Sequence, residues 1–122
     1  MRSVILLSSN NYAQSLLKAA FDFTLEQDHC YACTQDELNN TISKDDGDEI
    51  IILAESWNSP ALESGLSLLE NLSKPVLCIA GMNLNMVIAA ISFKDDTDTL
   101  RELQLTLENQ AKSGIKTILH KE

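Results

Sequence analysis

The order of apolar runs and amphipathic stretches predicts an α/β protein, a doubly wound parallel sheet in three layers. Three observations carry this. Val4-Ile5-Leu6-Leu7, Ile50-Ile51-Ile52-Leu53 and Val76-Leu77-Cys78-Ile79 are short, continuous apolar runs bounded by turn residues, the pattern of strands buried on both faces. Between them lie stretches with apolar residues at helical spacing. No repeat, low-complexity tract or linker interrupts the alternation, so residues 1–122 read as a single domain. Strands alternating with helices favour a parallel sheet with right-handed crossovers.

The first strand ends in polar Ser8-Ser9-Asn10-Asn11. Ala13, Leu16, Leu17, Ala20, Phe21 and Thr24 then predict a helix over 12–26. Residues 29–33 form a brief second strand. Thr34 with Glu37 three residues on fits a capping box opening a helix that carries Leu38 and Ile42. The charged, glycine-containing segment 43–48 is a loop. After the Ile50–Leu53 strand, Ser59-Pro60 starts a helix with the stripe Leu62, Leu66, Leu69 and Leu72. Residues 76–79 make the fourth strand, and apolar 87–93 is short enough for a fifth. Asp96 or Thr97 caps a last helix with Leu100, Leu103, Leu107 and Ala111 inside, closed near Gly114. From Ala80 to Lys94 only 14 positions remain, so the fourth helix is expected to be shortened or missing.

Nine basic and eighteen acidic residues give a net charge of −9, which disfavours nucleic acid and anionic membranes. No apolar stretch approaches the ~20 residues of a membrane helix, and the apolar run after Arg2 is too short for a signal peptide. Three cysteines make neither a disulfide framework nor a zinc-knuckle pair. The expectation is a reduced, cytoplasmic protein without metal or cofactor.

In an open parallel sheet, sites gather beyond the carboxyl ends of the strands. By this reading Ser8, Ser9 and Asn10, then Ala54, Glu55 and Ser56, then Ala80 and Gly81, and finally Lys94 and Asp95 stand there. No glycine-rich phosphate loop follows any strand. Val4-Ile5-Leu6-Leu7-Ser8-Ser9-Asn10-Asn11 and Ile91-Ser92-Phe93-Lys94-Asp95-Asp96 give the chain a resemblance to response-regulator receiver domains (CheY-like, flavodoxin-like in fold), most closely those of LuxR-type transcription regulators. That resemblance implies a phosphoacceptor aspartate, an acidic pair holding Mg²⁺, and an invariant lysine. Here Ser8 and Ser9 stand at the acidic pair and Ala54 at the acceptor, with Glu55 there instead if the register slips by one. Ala80 replaces the hydroxyl residue, and Lys94 alone survives. The resemblance therefore implies a degenerate receiver, a non-enzymatic module of two-component signalling and transcription regulation. It would act by phosphorylation-independent protein contact.

A missing fourth helix would expose apolar surface. Met82, Leu84 and Met86 are thus expected to form an interface for a protein partner or a second copy in a homodimer. A small-ligand sensor, for example of a nucleotide second messenger, is the alternative function. A flavodoxin-like or thiol enzyme is the second, because Cys30-Tyr31-Ala32-Cys33 is formally a C-x-x-C pair. Against that, strand residues three apart face opposite ways. His29 and Cys30 form a weak metal pair lacking a second half, and Cys78 reads as core. Glu55 imitating a phosphorylated acceptor is weighed against a solvated glutamate, and Lys94 is expected to pair with Glu55 or Asp95. Trp57 is expected to pack over the neighbouring helix, and Asp95, Asp96 and Asp98 to serve helix capping.

Overall fold

The computed structural model describes residues 1–121, the side chain of residue 64 excepted. Its elements are β1 (Arg2–Leu7), α1 (Tyr12–Phe21), β2 (Cys30–Cys33), α2 (Leu38–Lys44), β3 (Glu49–Ala54), α3 (Pro60–Leu69), β4 (Val76–Ala80), α4 (Leu84–Phe93) and α5 (Leu100–Ser113). The strands form one parallel sheet in the order β2-β1-β3-β4. Alternate residues of β1 serve opposite faces. Val4 and Leu6 join Ile51 and Leu53 against α1, α4 and α5. Ile5 and Leu7 join Ile50 and Ile52 in a second cluster with Leu38 and Ile42 of α2 and Ala61 of α3. The two central strands are therefore apolar over Val4–Leu7 and Ile50–Ala54, each fully buried branched side chain contributing about 1.5–3 kcal/mol.

The start of α3 lies where the local signal puts it. Ser59 Oγ accepts from Leu62 N at 3.1 Å with Pro60 in the first turn. The last helix is capped by Thr99 rather than by Asp96 or Thr97: Thr99 Oγ1 accepts from Glu102 N at 3.1 Å. The Thr34–Glu37 box is half formed, since Glu37 Oε1 accepts from Thr34 N at 3.0 Å and Thr34 Oγ1 at 3.1 Å, and α2 begins only at Leu38.

Two expectations are corrected. The sheet among the described residues has four strands, not five, and the fourth helix is neither missing nor short. Residues Leu84–Phe93, expected to include a strand, form the ten-residue α4. Asn83 starts it, accepting from Met86 N at 2.9 Å through Oδ1 while its Nδ2 donates to Ala111 O of α5 at 3.0 Å. A continuous apolar run carries no periodicity to distinguish helix from strand. Here α4 is apolar nearly all round because it is wedged between the sheet, α1 and α5.

That correction also removes the proposed interface. Met82 and Met86 lie in the core, and Leu84 packs half-buried against it. No described helix is long and apolar enough to cross a membrane.

Candidate functional site at the carboxyl rim of the sheet

From β1 the chain goes to β2 on one side and later to β3 on the other. The winding direction thus reverses between β1 and β3, the place where open α/β sheets form a crevice. Leu7 pairs with Ala54, so the next residues of both strands emerge side by side.

Ser8 is fully buried and structural. Its Oγ donates to Asn10 O at 2.7 Å and accepts from Ala13 N at 2.9 Å, while Asn10 Oδ1 accepts from Tyr12 N at 2.9 Å. These contacts satisfy free N–H groups at the start of α1. Ser9 is exposed and turns the other way. Its backbone N and its Oγ both donate to Glu55 Oε1, at 2.8 and 2.7 Å. A carboxylate and a hydroxyl therefore meet at the crevice as one hydrogen-bonded pair.

Ala54 and Ala80 are the paired last residues of β3 and β4 and floor the rim with methyl groups. Ala54 O accepts from Gly81 N and Met82 N, both at 3.0 Å. Gly81 has φ +86 with open space around it, so the reversal after β4 uses its lack of a side chain. Trp57, expected to pack over α3, instead stands 73% exposed. With Asn58, Ser59, Glu63 and Leu66 it lines a groove of ≈250 Å³ next to the rim.

Lys94 does not belong to this site. Because α4 runs back across the sheet, Lys94 lies at the amino edge, only 5% exposed. There its Nζ donates to Asp95 Oδ2 at 3.0 Å, and its carbonyl accepts from Arg2 Nη1 at 2.9 Å. Burial opposes ionisation of Asp95, yet the bonds from Lys94 and the Arg2 amide outweigh it and hold the carboxyl below its usual value. Of the six expected pocket residues, Ser8, Ser9, Ala54, Glu55 and Ala80 lie at the carboxyl ends of the strands and Lys94 at the opposite end.

The cysteines do not form a redox pair. Cys30 packs toward the α1 side and Cys33 toward the α2 side. Burial pushes the Cys30 thiol up to about 11 and raises Cys33 and Cys78 as well. The thiolate fraction of Cys30 near neutrality is therefore well below that of a free thiol. Alkylation of Cys30 by iodoacetamide at pH 7.5 is expected to be roughly tenfold or more slower than that of a free cysteine. Peptide mapping over a pH series checks it, with the rate rising toward pH 11.

No family model matches the chain, and no curated protein matches it. Solved structures do. The phosphotransferase system component EIIA from Streptococcus agalactiae superposes with a TM-score of 0.84 at 16% identity, over 96% of this chain and 97% of that one. The mannose/sorbose specific IIA subunit of the phosphotransferase system from Enterococcus faecalis gives 0.78 at 21%, over 99% and 97%. A sigma-54 interaction domain protein from Enterococcus faecalis gives 0.70 at 18%, over 93% and 91%. At these identities the likeness establishes a shared fold.

It also overturns the receiver reading. The structures matched end to end are phosphotransferase-system proteins and a sigma-54 interaction domain protein, and the Lys94-Asp95-Asp96 stretch that carried the resemblance follows a helix rather than a fifth strand. The degenerate-receiver function, the receiver-derived role in transcription regulation and both alternatives, ligand sensor and flavodoxin-like or thiol enzyme, fall with it.

Proposed function

We propose that this chain is an EIIA-type domain of a sugar phosphotransferase system, working by contact with other proteins of that system at the carboxyl rim. The observation that carries this reading is the match along nearly the whole length of both chains to the EIIA component from Streptococcus agalactiae. The rim supports the location. It brings together the Ser9–Glu55 pair and the start of α1 beside an exposed tryptophan, and exposed aromatic residues are favoured interface anchors.

The domain is read as a carrier or regulatory module without a small-molecule reaction of its own. Chemistry limits what a phosphoryl group could do here. Among the described residues no imidazole or thiol is hydrogen-bonded to the Ser9–Glu55 pair, and the Ser9 hydroxyl and the Glu55 carboxylate are the acceptors it offers. A phosphate ester on Ser9 would be a lasting mark, whereas a mixed anhydride on Glu55 could be passed on. The sigma-54 interaction domain protein shares the fold, which favours a regulatory setting as the second reading.

The test is titration of the isotope-labelled chain with the other phosphotransferase-system proteins of its own cell, followed by NMR. Shifts are expected to cluster at Ser9, Glu55 and Trp57, and Trp57→Ala should weaken the complex roughly tenfold or more. Binding to none of those proteins, or binding mapped to the amino edge, would overturn the assignment. Phosphoenolpyruvate supplied with the donor proteins then separates the two settings. A hydroxylamine-labile adduct marks Glu55 and a relay, while an acid-stable ester on Ser9, or no adduct, marks a regulator.

A further inference from the structure

We propose that His29, Asp45 and Asp46 bind one borderline divalent cation, zinc foremost, at the amino edge of the sheet, opposite the rim. The topology makes the cluster. His29 immediately precedes β2, and Asp45 and Asp46 lie in the loop between α2 and β3. All strands are parallel, so these segments meet at the same edge, on either side of β1. His29 is held in place by its carbonyl, which accepts from Val4 N at 2.8 Å, and it adopts a left-handed backbone with φ 60.

One ligand atom from each of the three residues lies within 4.8 Å of the others, and His29 Nδ1 is 3.3 Å from Asp46 Oδ1. Donors bonded at about 2.0–2.1 Å to a tetrahedral ion stand roughly 3.4 Å apart, so two of the three are already at working distance.

The independent observation is the state of the donor atoms. Asp45 is 7% exposed. Its Oδ1 accepts from Ser3 Oγ, but its buried Oδ2 has no hydrogen bond, and neither does the buried His29 Nδ1. Among the described residues three buried side-chain polar atoms lack a partner, and two of them are these. The nearest cation to Asp45 Oδ2 is Lys74 Nζ at 3.9 Å, and that ammonium donates to the Asp45 carbonyl at 3.3 Å instead. A buried carboxylate oxygen and an imidazole nitrogen that have charged neighbours but no hydrogen bond are costly as they stand. A metal ion satisfies both at once.

The donor set selects the ion. One imidazole nitrogen with two carboxylates suits zinc, whereas magnesium and calcium prefer all-oxygen shells. Water completes the coordination. Ser3 supplies the outer support that orients Asp45, and Gly47 closes over both, since a Cβ there would collide with Ser3 Oγ. The ion would clip the α2–β3 loop to the start of β2.

The test uses the full chain without an affinity tag, stripped with chelator and kept reduced. Isothermal titration with zinc chloride is expected to give one ion per chain, magnesium chloride none, and zinc to raise the thermal midpoint. His29→Asn, which tolerates the left-handed backbone, and Asp46→Asn, at an exposed position, should each weaken zinc at least tenfold. Lys74→Met should tighten it, because the competing ammonium is gone, and Cys30→Ser should leave it unchanged. Absence of zinc binding by the parent chain overturns the proposal. So does unchanged affinity in both His29→Asn and Asp46→Asn, or loss of binding in Cys30→Ser, which would place the ion on thiols.

Discussion

Met86→Glu is expected to lose cooperative folding at room temperature, while Met86→Leu stays folded. Met86 is 3% exposed and belongs to the same core cluster as Val87 and Ile91 of α4, Leu6 and Leu53 of β1 and β3, and Leu103 of α5. A glutamate there must bury an unpaired carboxylate or protonate it, at a cost of several kcal/mol. It also loses the apolar contacts of the thioether. Against a total stability of roughly 5–15 kcal/mol for a domain of this kind, the sum removes most of the margin. Leucine conserves volume and should cost less than about 1.5 kcal/mol. Urea unfolding followed by circular dichroism checks both. A normally folded Met86→Glu protein with an altered association state would put Met86 on an interface after all.

Arg2→Met carries the next largest effect, a loss of about 3–4 kcal/mol. Arg2 opens β1, yet its side chain is buried and organises the turn between α4 and α5. Nε donates to Glu49 Oε1 at 2.7 Å. Nη1 donates to Lys94 O, Thr97 O and Thr97 Oγ1 at 2.9, 3.0 and 2.9 Å, and Nη2 to Asp98 O at 3.3 Å. Methionine keeps the apolar stem but leaves Glu49 and three carbonyls without their donor. The thermal midpoint should fall by roughly 10–15 °C for a chain of this length. Arg2→Lys should recover only part of this, because a single ammonium cannot span the planar fork of acceptors. Differential scanning calorimetry of the two variants decides the matter. Equal midpoints for Arg2→Lys and the parent chain would mean that charge alone holds the turn.

The two variants fall on either side of what residue patterns reveal. Val4–Leu7 and Ile50–Leu53 announce buried central strands because only a strand covered on both faces is apolar at every position. Ser59-Pro60 announces a helix start because its chemistry is local: one hydroxyl, one free N–H and one missing N–H. The rim pair was half visible. Ser9 and Glu55 both follow buried strands, so a parallel sheet was bound to place them at one edge, but their bond depends on β1 and β3 being neighbours.

Residues 84–93 show where such reading stops. An apolar run without periodicity is compatible with a buried helix or a buried strand, and reading it as a strand carried Lys94 to the wrong end of the sheet. Arg2 looked like a lone N-terminal charge, although it is the hub of five side-chain hydrogen bonds. His29, Asp45 and Asp46 carried no motif, since the residues converge from two loops 16 positions apart.

By itself the sequence determined the class of fold, the apolar burial of the central strands and the Ser59-Pro60 helix start, because those depend on contacts within a few residues. The number of strands, the family of structures it matches and the company each charged side chain keeps were decided only by tertiary packing. They depend on which segments the winding of the chain brings side by side, and that distance is not written in any local pattern.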